Sequence, residues 1–545
     1  MKRFCFCCLV VLAAAVSSAD TSVRRKFIAR GWDTTNAMPE EILTNADAFA
    51  ATGIDGISFY LPERKQADGG VVSSRNLPTD SAWTYETYAD LVPVFRQIAA
   101  KPGLKESFVE CAFTPMRGRI PWTDDAKWAS WANNMGVLAR LAREGGLRGL
   151  FLDNEDYRHR HQFELAEGEM DFDVAYTLAR QRGREVFGAV YREFPDAVLV
   201  PFWLLSQVEG LIQSSDPIAA MRNSGSLWPA FVNGLFDILP PTGRVVDGCE
   251  KAYSYEWNDG SFANAVTAQL VGFLPLVAPE NRAKYRAQLC VGFGLYLDSY
   301  INEDPRGTWY FKPINGSRLE HFRLNLTEAA RCADEYVWFD GEKVSWVKWQ
   351  GLGDRKRAYK TDVTWEEKLP GLASMLRDVK NPTAGMMDRI IALRAKGAAV
   401  NRFPEALARE THWQNPRCKP GTYAIDPKAG TGGTVTLTGI VNGSCNLPVD
   451  ARPGETWIVD LYMSGSAGER ETPSLCFIDA KGKMRWDLGT IVPTLIETDN
   501  IGRKRFAALL RVPENMSRIN LMLNGAQHNN ETAVFTDIFI ARSDE

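Results

Sequence analysis

The residues best suited to chemistry are concentrated in one short stretch, residues 146–161, GLRGLFLDNEDYRHRH. An apolar run ends there in Asp153, Glu155, Asp156, Tyr157, His159 and His161. If the run is a β-strand, alternation puts Leu150 and Leu152 on one face and Phe151, Asp153 and Glu155 on the other, with Asp156 apart from them. Two carboxylates held that close raise the pKa of one, which then keeps its proton near neutral pH. A protonated carboxyl beside an ionised one is what cleavage of a glycosidic bond requires. The histidines offer a different chemistry, since His159 and His161 with Asp153 or Asp156 could hold zinc and activate a water. The chain has five histidines in all, and those in RHRH are flanked by arginines, so a solvated loop is the plainer reading. Neither metal nor cofactor is therefore expected.

Such acids need a scaffold that aims them into one cleft. From Arg25 to about Lys396, β-rich runs alternate with segments of helical period. The runs are 26–33, 54–61, 106–115, 147–153, 197–205, 244–257, 289–302 and 335–346. Helical stretches such as 88–100, 126–144, 176–194, 263–274 and 319–332 lie between them. Eight strand–helix alternations predict an α/β fold, a (β/α)8 TIM barrel. An open doubly wound sheet is the competitor, and no glycine-rich phosphate loop follows the first strand.

In a barrel the active site lies at the C-terminal ends of the strands, which gives the other rim residues their meaning. Alternation on the seventh strand groups Tyr296, Asp298 and Tyr300 with Gly292 and Gly294. On the eighth it groups Trp338, Asp340 and Glu342. The sixth offers Asp247 and Glu250, with ambiguous parity. Trp32 and Asp33 end the first strand, Tyr60 the second, and Trp203 the fifth. The expected catalytic set is Glu155 and Asp153 with a second carboxylate from Asp298 or Glu250. The expected binding set is Trp32, Asp33, Tyr60, Tyr157, Trp203, Tyr300, Trp338 and Glu342. Aromatic rings stack on sugar faces, and the 16 Trp, 16 Tyr and 27 Phe suit a carbohydrate cleft, although most such rings fill cores.

The layout over about 380 residues resembles the (β/α)8-barrel glycoside hydrolases, many of which carry a proton donor after strand four and a second carboxylate after strand six or seven. FLDNEDY resembles the end of the strand-four motif of chitinase-like enzymes, an Asp-x-Glu followed by Tyr. The resemblance implies that Glu155 is the proton donor and that Asp153 steadies a substrate N-acetyl group. The earlier acids of that motif would fall at Arg148 and Phe151, so a mechanism with a separate second carboxylate stays open. The distance between the carboxyls would set the stereochemistry, about 5 Å for retention and roughly 6.5–9.5 Å for inversion.

Past about residue 411 the pattern changes to short alternating strands broken by Gly, Pro and Asn, which predicts an antiparallel β-sandwich of jelly-roll type over 411–545. Its ending, AVFTDIFIAR, resembles the last strand of carbohydrate-binding modules. At the other end, residues 1–19 read as a signal peptide with a basic start, a short apolar run and small residues before Asp20, leaving 20–410 for the barrel. A secreted or periplasmic protein is expected, with a carbohydrate partner. The net charge of −4 carries no nucleic-acid footprint, and no stretch reaches the roughly 20 apolar residues of a membrane span. Seven cysteines follow the leader, an odd number. Cys418 and Cys445 could pair, but buried thiols are the expectation for most. The function expected is a glycoside hydrolase. The alternatives are a non-catalytic glycan-binding barrel and a metal-dependent hydrolase.

Overall fold

The structure is a computed structural model and describes residues 25–79, 81–115, 118–157, 161–314, 316–352, 362–428, 432–466, 472–526 and 528–545. Residues 1–19, expected to be a signal peptide, lie outside the described residues. The chain divides into two compact units, one ending at Leu376 and the other running Arg377–Glu545.

The first unit is a parallel barrel. Its strands are β1 (Lys26–Ala29), β2 (Gly56–Tyr60), β3 (Phe108–Ala112), β4 (Gly149–Asp153), β5 (Val198–Pro201), β6 (Arg244–Asp247), β7 (Leu289–Val291), β8 (Phe293–Tyr296) and β9 (Tyr336–Asp340). They are ordered β8-β9-β1-β2-β3-β4-β5-β6-β7, every neighbouring pair parallel. The two ends of that order, β7 and β8, are successive halves of the seventh strand. Gly292 joins them, so the chain passes there from pairing with β6 to pairing with β9, and the ring closes. The crossing has no room for a side chain, because a Cβ on Gly292 would sit 2.5 Å from Val246 Cγ1. Gly294 is constrained likewise, since its Cβ would meet the Trp338 indole at 2.6 Å.

The predicted helices surround this sheet. They include α1 (Val92–Ala99), α2 (Asp125–Glu144), α3 (Phe172–Glu193) and α4 (Arg318–Cys332). Short polar residues cap them: Asp124 accepts from Lys127 N at 3.1 Å, Asp171 from Asp173 N at 2.8 Å, and Ser317 from Glu320 N at 3.1 Å. Alternation along the strands fills the barrel interior with Ile28, Phe108, Phe151, Val198, Val200, Val246, Tyr336 and Trp338.

The strands are shorter than the sequence suggests, and this moves several side chains. After β1 the chain turns into a helix at Trp32–Asn36, and after β8 it tightens into a 3-10 turn at Leu297–Tyr300. After β6 another such turn runs Glu250–Ser254.

The second unit is an antiparallel β-sandwich. One sheet is ordered β10-β13-β18-β15 and the other β11-β12-β19-β14-β17-β16. These labels denote β10 (Thr411–Gln414), β11 (Thr422–Asp426), β12 (Thr434–Thr438), β13 (Gly443–Asp450), β14 (Thr456–Gly465), β15 (Ser474–Asp479), β16 (Thr494–Thr498), β17 (Lys504–Arg511), β18 (Met516–Asn524) and β19 (Thr532–Arg542). Two helices ahead of residue 411 belong to it. Met386, Ile390 and Leu393 of α5 (Pro382–Ala395) pack on Ile458, Phe539 and Ala541, and Phe403 and Ala406 of α6 (Phe403–Leu407) enter the sandwich core. A fully buried Asp460 draws Arg394 of α5 to 2.7 Å and Arg505 of β17 to 2.9 Å, satisfying a charge the core could not hold alone. The seven cysteines among the described residues are all free, so Cys418 and Cys445 form no bridge.

Substituting Gly292→Ala should destabilise the barrel by about 1–3 kcal/mol through overpacking at the strand junction. Gly188→Ala in α3, where a Cβ meets nothing within 4 Å, should be neutral or stabilising by up to about 1 kcal/mol. Urea unfolding of the two variants checks this, and equal losses would contradict the constraint at Gly292.

Candidate active site

A cavity of about 1150 Å³ opens at the C-terminal rim of the barrel. It is bordered by Arg30 after β1, Tyr60 of β2, Asp153 of β4, Trp203 after β5, Glu250 after β6, Tyr296 of β8 and Asp340 of β9.

The strand-four acids reach it by two devices. Asp153, the last residue of β4, receives the Tyr60 hydroxyl at 2.9 Å and lies 3.7 Å from Arg30 Nη2. The next residue, Asn154, is buried and points away, donating to Trp203 O at 2.9 Å and Gln207 Oε1 at 3.1 Å. That anchor turns Glu155 back over Asp153, its amide donating to Asp153 Oδ1 at 3.3 Å while its carbonyl accepts from Thr114 Oγ1 at 2.8 Å. The Glu155 carboxylate accepts from the Tyr157 hydroxyl. Asp156 also edges the cavity, because strand alternation has ended, but one of its oxygens accepts from Gln162 N at 2.9 Å. His161 Nδ1 lies 3.7 Å from Asp156 Oδ1, and His159 lies outside the described residues.

Glu250 arrives from β6, two strands further round the ring. Asp247, at the end of β6, is fully buried on the face opposite the inward Val246 and accepts from Leu204 N, Ser206 N and Cys249 N at 3.1, 2.9 and 3.2 Å, and from the Ser206 hydroxyl. It holds the loop after β5 and has no share in the cavity. Cys249 then takes a left-handed conformation, φ 42°, which reverses the chain and aims Glu250 into the cleft. Glu250 is 9% exposed, and among the described residues its Oε2 has no hydrogen-bond partner.

Beneath these acids lies a buried ionic cluster. Arg30 binds Asp340 at 2.8 Å and Glu110 at 3.0 Å, and Glu110 also accepts from Ser58 Oγ at 2.5 Å. Burial opposes the Arg30 charge, but Glu110 and then Asp340 more than offset it, so its pKa stands well above the usual value. Burial dominates for the acids. It raises Asp153 and Asp340 despite Arg30. Glu155 is pushed up to about 7 by burial, with Asp153 adding to the shift and the Tyr157 hydrogen bond opposing it. Glu250 is pushed up to about 9 by burial, then by the charges of Glu155 and Asp340. Glu155 and Glu250 thus border one cavity, feel each other's charge, and differ in depth and hydrogen bonding.

Of the expected residues, the cavity brings together Asp153, Glu155, Glu250, Trp32, Tyr60, Tyr157, Trp203 and Glu342, the last accepting from Tyr296 Oη at 3.2 Å. Four others lie elsewhere. Asp298 is buried in the turn after β8 and accepts from Glu342 N at 2.7 Å, so it shapes the rim from behind. Tyr300, in the same turn, points outward to Asn325 of α4 at 2.8 Å. Asp33 lies in the helix after β1, accepting from Trp346 N at 2.7 Å and Trp349 Nε1 at 3.1 Å. Trp338 faces inward as alternation requires but lies below the cavity floor, stacked on Phe202 at 5.0 Å and bonded to Gly248 O. Residues not anticipated are Arg30, Arg75 stacked 4.1 Å over Tyr60, Tyr253 and Trp309. Arg30 shares its parity with the inward Ile28, and Glu110 with Phe108, so alternation carried one residue past β1 would have found the cluster.

No protein-family model matches the chain, and no curated protein matches it. Among solved structures it is similar to a glycoside hydrolase family 5 enzyme from Prevotella bryantii B14, at 11% identity over 67% of this chain and 98% of that one, TM-score 0.35. It is similar to a structure described as a glycoside hydrolase at 9% identity over 96% and 93% of the two chains, TM-score 0.30. A third is the CBM22-1–GH10 portion of Clostridium thermocellum endo-1,4-beta-D-xylanase 10B, at 10% identity over 27% of each chain, TM-score 0.20. This chain therefore spans about a quarter of that xylanase structure. All three TM-scores lie below 0.5, and the likenesses assign no residue a role.

The raised acids predict a pH dependence of stability. Glu155 and Glu250 hold protons more tightly folded than unfolded, so their contribution is full below the ordinary glutamate value of 4.5 and fades as pH rises through about 7 and about 9. Glu250→Gln should gain on the parent between pH 5 and pH 9, by on the order of 1–3 kcal/mol. Urea midpoints across that range measure the gap, and a gap independent of pH would contradict the assignment.

Proposed function

We propose that the barrel is a glycoside hydrolase acting on an oligo- or polysaccharide, with Glu250 and Glu155 as its acid and base pair. The observation that carries this reading is two unequal carboxyls, buried Glu250 and half-buried Glu155, bordering one aromatic-lined cleft. Between about pH 7 and about 9 the pair holds one proton. Glu250 is the deeper of the two and lacks a hydrogen bond to its Oε2, so the proton rests there. Glu155, steadied by Tyr157 and backed by Asp153, is the ionised partner. Glu250 would give its proton to the departing glycosidic oxygen as that bond breaks. Glu155 would supply negative charge at the anomeric carbon, by direct attack or by taking a proton from the attacking water.

Arg30 opposes the burial that raises Asp153 and Asp340 below the pair, and negative charge held there would stabilise positive charge developing on the sugar. Trp32 and Trp309 are 44% and 41% exposed at the cleft and provide flat faces for sugar rings. The leader read in residues 1–19 would place this activity outside the cytosol, where polymeric glycans are met.

Glu155→Gln and Glu250→Gln should each lower kcat/KM by about 10²–10⁴-fold on natural glycans. On aryl glycosides with good leaving groups, Glu250→Gln should recover much of the loss, because little protonation is then needed, whereas Glu155→Gln should not. The parent's kcat/KM should peak between about pH 7 and about 9. A parent that binds glycans yet turns over none in a broad polysaccharide and glycoside screen would overturn the proposal in favour of a glycan-binding barrel.

A further inference from the structure

The sandwich unit carries a second cluster of ligating side chains that the barrel chemistry does not use. β10 pairs antiparallel with β13, and the register sets His412 directly opposite Cys445. Residues directly opposite in an antiparallel pair project to the same face with their Cβ atoms about 4.5–5.5 Å apart. Glu410, one residue before β10, joins them. One donor atom from each of Glu410, His412 and Cys445 lies within 4.8 Å of both others.

The three groups have little else to do. The Cys445 thiol is fully buried and unbonded to any other cysteine. Among the described residues, Glu410 Oε2 is buried without a hydrogen-bond partner. His412 has its ring plane held by stacking on Tyr423, with centroids 4.0 Å apart and planes 1° from parallel, which leaves both nitrogens at the edge. Its Nε2 lies 3.9 Å from Glu410 Oε1, too far for a hydrogen bond. Two donors on one tetrahedral zinc ion are separated by about 3.4–3.6 Å at ordinary bond lengths. Small side-chain rotations would therefore bring the trio to coordination distance.

We propose that Glu410, His412 and Cys445 form a binding site for one zinc-class divalent cation. A thiolate with an imidazole selects a borderline-soft ion and disfavours magnesium or calcium, which prefer all-oxygen shells. Cys445 would bind as thiolate, its proton passing to solvent as the metal–sulfur bond forms. Half-exposed Glu410 and exposed His412 give the ion a way in and leave a fourth position for water. Bound there, the ion ties β10, a four-residue edge strand with mostly exposed side chains, to the core strand β13.

The test uses the full-length, untagged, reduced protein, stripped with a chelator and then given zinc alone or cobalt(II) alone. One equivalent of zinc should survive gel filtration, and the cobalt form should show a thiolate-to-metal charge-transfer absorption. Zinc should also raise the unfolding temperature of the sandwich. His412→Ala, at an exposed position where folding is not at risk, should weaken zinc binding at least tenfold, and Cys445→Ala should abolish the charge-transfer band. Failure to retain an equivalent, absence of the band in the folded parent, or binding unchanged in His412→Ala would overturn the proposal.

Discussion

The barrel mouth depends on Arg30. Three carboxylates from three strands, Glu110, Asp153 and Asp340, converge on one guanidinium. Arg30 contacts Glu110, Asp153 and Asp340, while Phe202 lies 4.7 Å beneath its plane. Removing it would strand several buried charges in a medium that cannot screen them, the situation in which a lost partner is most costly. The interior below is ordinary barrel packing of Phe108, Phe151, Val200 and Trp338. The cluster is thus a polar layer between an apolar core and an open cleft, with Arg30 as the counter-charge of the lower acids beneath the upper pair.

Much of this was legible in the sequence where strand alternation holds. Leu150 to Asp153 obeyed it, Phe151 entered the core, and the carboxylate of Asp153 reached the rim. Errors arose where strands stopped early. Asp298 and Tyr300 were placed by continuing β8 beyond Tyr296, but the 3-10 turn at Leu297 rotates them toward Glu342 and α4. Trp32 and Asp33 likewise begin a helix, which sends Asp33 behind the wall and leaves Trp32 at the cleft. Trp338 shows a different limit, since parity tells the face of a strand but not the depth along the barrel axis.

On the sixth strand alternation left Asp247 and Glu250 both open, and Glu250 entered the expected catalytic set without a physical rule that separates the two. Both follow an apolar run, and Asp247 is nearer the strand. Three backbone N–H groups and a hydroxyl claim Asp247, and no sequence rule exposes those of Leu204 and Ser206, which come from the loop after a different strand. In the sandwich the strands were plain from their alternation. The membership of α5 was not, because it rests on the pairing of Arg394 with Asp460, 66 residues apart.

The left-handed Cys249 sets a limit on improvement of this protein. A β-carbon in that region costs roughly 1–2 kcal/mol, and glycine would relieve it. The same bend is what presents Glu250, and Cys249 is itself packed with its sulfur 3.9 Å from the Tyr255 hydroxyl. A glycine there would ease the backbone while removing the packing that keeps the bend in one shape. Selection for a hardier barrel and selection for an accurately aimed acid therefore pull on this residue in opposite directions.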